Sequence, residues 1–272
     1  MGCFVCKIVA LSPRVRQEEH ASIRGVTGLF VAARYLTIVP IPGPTSTHPD
    51  ALGRAAGWFP VIGLGVGVYL VIVEKITGVL FPSLLAGLLT VTAWKLVTGG
   101  LHLDGLADCL DGLGGRDAEH RLAIMRDSHI GAFGAIGLIL FLLLEIGAVV
   151  ELPPSVRARA LLVVPVVARA TPPLLALLFP AAKSEGFGAA FRASVSGRAA
   201  PIALALALLV AAMALRSLGV LVVAVSLLSA VAVARFVATR VAGITGDVLG
   251  AAIEVTELAG LLTVSAWSRL VA

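Results

Sequence analysis

Residues 96–115 read LVTGGLHLDGLADCLDGLGG: the end of an apolar run, a glycine pair, then Asp104, Asp108 and Asp111 with His102 just ahead. A helix turns about 100° per residue, so the three carboxylates fall within an arc of roughly 60°. Leu103, Leu106, Leu110 and Leu113 fall on the opposite side, which predicts an amphipathic helix with one acidic and one leucine stripe. Like charges at this spacing repel even in water. Near a bilayer the penalty grows, and a cation between the carboxylates is the natural compensation. Hard carboxylate oxygens without thiolate or clustered imidazole suit Mg²⁺ or Mn²⁺, and Mg²⁺ characteristically shares its shell with substrate phosphates.

The surrounding composition is that of an integral membrane protein. Of 272 residues, 58% are hydrophobic and 14% charged, with mean hydropathy +1.01; soluble domains carry nearly twice that share of charge. Apolar runs long enough to cross a bilayer as helices recur along the chain, and the alternating segments of a transmembrane barrel are absent. The sequence predicts an all-α, polytopic transmembrane bundle of about seven spans: 57–81, 82–100, 130–150, 157–180, 200–215, 218–242 and 249–267. The apolar segment 29–42, interrupted by Arg34, reads as re-entrant or interfacial. Residues 1–25 form a polar, basic extension, and 26–272 a single transmembrane catalytic domain. Cys3 and Cys6 lack the second pair that a zinc site needs. The net charge of +5 comes from basic residues scattered at span ends, a topology signal that argues against nucleic acid as a partner. With seven crossings, Arg116, Arg121, Arg126, Lys183, Arg192 and Arg198 share a side with the amino terminus, so the positive-inside rule puts the aspartate segment in the cytoplasm.

Two further stretches converge with the first. IMRDSHIGAFGAIG (124–137) opens a span with Arg126, Asp127 and Ser128, then Gly131, Gly134 and Gly137. Ser128 is suited to an N-cap, and a helix start beside Arg126 is an anion site. GITGDVLGAAIEVTELAG (243–260) places Asp247 and Glu254 on one helix face, with Glu257 about 60° away. Glu254 and Glu257 sit inside an apolar span, where ionisable groups are costly and usually functional.

Together, GGLHLDGLADCLDGL, IMRDSHIGAFG and TGDVLGA, with the upstream RYLTIVPIP and RAAGWFPVIGLGVG, resemble the cobalamin synthase (adenosylcobinamide-GDP ribazoletransferase) family from about residue 26 to the end. The resemblance implies a Mg²⁺-dependent enzyme of the cell membrane acting on adenosylcobinamide-GDP and α-ribazole or its 5′-phosphate. A ribose hydroxyl would attack the cobinamide-linked phosphorus and GMP would leave, closing the nucleotide loop of vitamin B12. Phosphoryl transfer asks a protein for positioning and charge neutralisation above all. On that basis Asp104, Asp108 and Asp111 are assigned to the metal. Asp108, Asp127 and Asp247 are assigned to catalysis, and Arg126, Ser128, Gly131, Gly134, His102 and Glu254 to substrate. The lipid bilayer is the other expected partner, with self-association into a homo-oligomer left open. Competing readings are another membrane phosphoalcohol or prenyl transferase, whose D-x-x-D-G-x-x-A-R or paired D-x-x-D blocks are missing. A cation transporter with Glu145, Glu254 and Glu257 on its path is the remaining alternative.

Overall fold

The computed structural model describes residues 26–41 and 49–271. The basic extension 1–25, with Cys3 and Cys6, and residue 42 at the end of the apolar amino-terminal segment lie outside them. Thirteen α-helices are described: α1 (Val26–Leu36), α2 (Pro49–Ala55), α3 (Phe59–Leu80), α4 (Ser83–Val97), α5 (Leu101–Gly112), α6 (Ala118–Ile124), α7 (Ala132–Glu151), α8 (Pro154–Arg169), α9 (Thr171–Leu178), α10 (Phe187–Ser194), α11 (Ala199–Leu215), α12 (Ser217–Val241) and α13 (Gly246–Val271). The only β-type pairing among the described residues is an isolated parallel bridge between Ala181 and Ile244. The molecule is the all-α polytopic bundle that its composition predicts.

Five stretches are long and apolar enough to cross a membrane: 50–80, 132–151, 154–178, 217–241 and 246–271. The other two expected spans are the long arms of bent pairs, α4 with α5 at 90° and α10 with α11 at 85°. At 1.5 Å per residue α4 is only about 22 Å long and α11 about 25 Å, both short of a ~30 Å hydrocarbon core. The first bend is written in Gly99 and Gly100, whose φ of +65° and +67° is a left-handed backbone that side chains disfavour. Their N–H groups close the end of α4 on the carbonyls of Leu96 and Lys95, both at 2.9 Å. The amphipathic helix α5 thus turns from α4 at a right angle and is not part of the five long apolar stretches.

Close helix packing comes from small residues, as expected where lipid offers no hydrophobic drive. A Cβ on Gly63 or Gly67 of α3 would sit 2.4 Å from the Pro165 carbonyl oxygen or 2.5 Å from that of Leu162 on α8. On α11, Ala203, Ala207 and Ala211 form a buried stripe, one residue per turn, and α11 packs on α8 and α12. Large apolar side chains such as Val79, Leu143, Met213 and Leu228 point outward instead, the inverse of a water-soluble surface and the natural coat of a lipid-facing one. Helix α13 is central, packed against α12, α5, α8 and α7.

Candidate active site

Helices α5 and α13 cross through two glycines. A Cβ on Gly105 would lie 2.8 Å from the Asp247 carbonyl oxygen and 2.9 Å from its Cα, and Gly250 faces the backbone of His102 at 3.3 Å. Glycine at 105 therefore lets the acidic helix touch the first turn of α13, bringing Asp104 and Asp108 into the field of Asp247. Asp104 is exposed and Asp108 and Asp247 are half-buried, as groups open to a ligand should be. Partial burial, then the charges of Asp104, Asp247 and Asp111, push the Asp108 carboxyl up to about 7. Three acidic neighbours in one field is the condition that a bound cation relieves. Thr245 holds Asp247 through a 3.1 Å hydrogen bond from its hydroxyl to Oδ2.

Asp111 has a different environment. The N–H of Gly131 donates to its Oδ2 and the N–H of Gly134 to its Oδ1, both at 2.8 Å. The helix start expected to hold a substrate anion holds the chain's own carboxylate, which caps α7 from 20 residues away. Ser128 is not that cap: α7 begins at Ala132, with Gly131 as N-cap and no local side-chain bond. Both glycines are needed for the fit, since a Cβ at either would sit under 2.5 Å from an Asp111 oxygen.

Two clefts open beside these groups. The first, about 300 Å³, is lined by His102, Asp104, Arg126, Lys183, Glu185 and Asp247 among others. An aromatic ladder backs it. Tyr35 stacks on Phe187 at 5.3 Å, Phe187 on Phe191 at 6.1 Å and Phe191 on Phe59 at 6.0 Å, with planes within 17°. The second, about 500 Å³, contains Asp104, Asp108, Arg126, Asp127, Ser128 and His129. The clefts share Asp104, Met125 and Arg126. Asp127 is exposed and bonded to the His129 ring at 2.6 Å; that hydrogen bond, with another from the His129 N–H, holds its carboxyl below the usual range. A carboxylate so stabilised is a weak base.

Glu254 lies elsewhere. It lines neither cleft but joins a group buried in the bundle, in which the Lys95 ammonium meets Glu145 at 2.8 Å, Glu254 at 2.7 Å and Glu257 at 3.0 Å. Arg169 pairs with the other oxygen of Glu257. Among the described residues these glutamates are the one acidic trio close enough to share a metal ion, and a lysine already fills their centre. Buried charge must be paired, and Lys95 supplies the pairing that a cation path would lack. His102 lies at the edge of this group and lines the first cleft; it is buried, and neither ring nitrogen has a partner.

The structure thus brings Asp104, Asp108, Asp247, Arg126 and His102 around adjoining clefts, with Asp127 and Ser128 at the rim of the second. It turns Asp111, Gly131 and Gly134 toward one another and sets Glu254 in the bundle interior. Sequence reasoning missed the tie between Lys95, Arg169 and the glutamates. Its signal was two cations and three anions, all inside apolar runs where each needs a partner. It also left Tyr35, Glu185 and Phe187 without a role.

The cobalamin-5-phosphate synthase family model matches residues 28–265. Among curated proteins, the adenosylcobinamide-GDP ribazoletransferase of Geotalea daltonii is 36% identical over 239 residues, covering 87% of this chain and 96% of that protein. Its namesake from Brevibacillus brevis is 38% identical over 242 residues, covering 87% and 97%. No solved structure matches. With the family model spanning nearly the whole described chain and full-length relatives above one-third identity, the chain belongs to the cobalamin-5-phosphate synthase family.

Proposed function

We propose that the protein joins α-ribazole, or its 5′-phosphate, to adenosylcobinamide-GDP and releases GMP, the reaction named for its relatives. The observation that carries this reading is the α5–α13 crossing at Gly105, which sets an acidic pair, Asp104 and Asp247, in one cleft and Asp108 in the next. Two adjoining clefts that share Asp104 and Arg126 suit two substrates meeting at one phosphorus.

The donor set fits Mg²⁺. Mg²⁺ characteristically takes one or two protein carboxylates and shares the rest of its shell with substrate phosphates and water. Asp104 and Asp247, hard oxygen donors in the same cleft, meet that description without a third protein ligand. Bound there, Mg²⁺ would neutralise charge on the diphosphate and on the departing GMP. Arg126, at the junction of the clefts, steadies the reacting phosphate. Asp108, held near neutrality, is matched to accept the proton of the attacking hydroxyl. Asp127, at the rim, orients the incoming ribazole. Asp111 acts at one remove, by fixing the start of α7 against α5.

The protein is proposed to sit in the cell membrane with both clefts on the cytoplasmic side, on the strength of the basic residues flanking them. The test of the function is direct. Purified protein in lipid nanodiscs, given adenosylcobinamide-GDP, α-ribazole and Mg²⁺, should release GMP in step with the joined product. Asp104→Asn and Asp247→Asn should raise the Mg²⁺ requirement. Absence of GMP from the unaltered protein would refute the reading.

A further inference from the structure

The loop 180–188 has no role in the scheme above, yet it forms one wall of the first cleft through Lys183, Glu185, Gly186 and Phe187. It is not a loose surface loop. Ala182 donates its N–H to the Ile244 carbonyl at 3.0 Å, and Ile244 donates to Pro180 at 2.8 Å. Gly188 packs on the Ile244 carbonyl and Thr245, where a Cβ would meet atoms at 3.0 and 3.2 Å. The loop is therefore stitched to the segment that ends in Thr245 and Asp247. Its distance from the acidic pair is fixed, as a site gripping both ends of one nucleotide requires.

We infer that this loop is the guanine subsite of the cleft, with Glu185 reading the base. The inference rests on the proposed reaction, whose substrate carries GDP. Guanine presents two adjacent donors, N1–H and the exocyclic N2 amine, which one carboxylate accepts side by side. Adenine offers a donor beside a lone pair, which the same carboxylate repels, and benzimidazole offers no such donor edge. Glu185 is an exposed carboxylate on the cleft wall and takes part in no ion pair among the described residues. Lys183, two residues earlier, supplies a cation for the phosphates. In the ladder Phe59 and Phe191 are buried and Phe187 lies between Tyr35 and Phe191, so Tyr35, at its exposed end, is the ring left to stack on a purine. Charge for the phosphates, a planar ring and a carboxylate for a donor edge are the three parts of a guanine nucleotide site.

The probes are GMP, IMP, which lacks the N2 amine, and AMP, titrated against the full-length protein in nanodiscs with Mg²⁺ present. The unaltered protein should bind GMP several-fold tighter than IMP and at least a hundredfold tighter than AMP, since unpaired polar groups are strongly rejected at a hydrogen-bonding site. Glu185→Gln should weaken GMP by tenfold or more, the scale of a charged hydrogen bond, and leave AMP unchanged. An unchanged ratio of GMP to AMP in Glu185→Gln overturns the inference. So does an equal loss for all three nucleotides or a raised Mg²⁺ requirement, either of which would place Glu185 on the ion or the phosphates. Formation of the joined product by the unaltered protein separates the two layers: with it, a failed base ratio sinks only the guanine subsite, and without it, the proposed reaction itself fails.

Discussion

Asp111 separates a structural carboxylate from a metal-binding one. Its two oxygens each accept a 2.8 Å hydrogen bond from a backbone N–H at the start of α7, and an anion there also faces the positive end of the helix. Substitution by Asn keeps one acceptor oxygen but points an amide N–H₂ at a backbone donor, so one bond is lost and the other loses its charge. With hydrogen bonds to charged groups at about 1.5–3 kcal/mol each, the cost of Asp111→Asn should be about 2–4 kcal/mol. Thermal unfolding in nanodiscs should show a clear fall in Tm for Asp111→Asn. Mg²⁺ affinity, measured by nucleotide-dependent titration well below that Tm, should change little. In Asp104→Asn the pattern should invert, with Tm held and Mg²⁺ affinity reduced. A variant at 111 with unchanged Tm and a tenfold weaker Mg²⁺ response would refute the capping argument and return Asp111 to the metal shell.

Other outcomes follow from the same geometry. Gly105→Ala puts a methyl under 3 Å from the Asp247 backbone; overpacking of this kind costs about 1–3 kcal/mol, and turnover should fall with it, as the two acidic elements part. Lys95→Met leaves three buried carboxylates with Arg169 as their only paired cation. Removing one partner of a buried ionic group costs about 3–5 kcal/mol, and adding Glu145→Gln should recover part of the lost Tm. Asp108→Asn should lower GMP release by orders of magnitude while the protein stays folded in the membrane. In the unaltered enzyme, the rate should fall as pH drops through the Asp108 value. Its carboxyl is raised to about 7 in the free site, a base works only when deprotonated, and a nearby bound cation can only lower the midpoint. The acid limb of kcat/KM should therefore lie at or below about pH 7, and it should vanish in Asp108→Asn.

Composition and hydropathy are enough to read a polytopic helical membrane bundle, because lipid permits so few backbone solutions. The acidic helix is equally plain from its 100° arithmetic. Span count is less legible, since an apolar segment of 15 or 17 residues looks the same whether the chain continues straight or turns through a right angle. Gly99 and Gly100 mark the first turn, but a glycine pair also fits a flexible connector or tight packing. The site is half legible for a related reason. Residue types announce that carboxylates must be compensated without saying by what, and the structure uses three different answers. Asp111 is answered by two backbone N–H groups, the buried glutamates by Lys95 and Arg169, and Asp104, Asp108 and Asp247 by no cation among the described residues, Asp247 having the Thr245 hydroxyl.

That last contrast is the strongest argument for where the chemistry belongs. A bundle that compensates Glu145, Glu254 and Glu257 with a lysine at 2.7–3.0 Å has the means to neutralise carboxylates wherever burial demands it. At the α5–α13 crossing it does the reverse. Gly105 removes the side chain that would keep Asp247 away, like charges are pressed together, and they add to partial burial in raising the Asp108 carboxyl. Repulsion kept on a surface open to two clefts is free energy returned when a cation and a diphosphate arrive together. Neither should bind well without the other. Mg²⁺ titrated alone into the protein should therefore bind much more weakly than Mg²⁺ titrated with GDP present, and GDP should show the same fold-change with and without Mg²⁺, as linkage requires. Equal Mg²⁺ affinity in the two titrations would mean that the acidic crossing is a metal site in its own right and does not depend on the diphosphate.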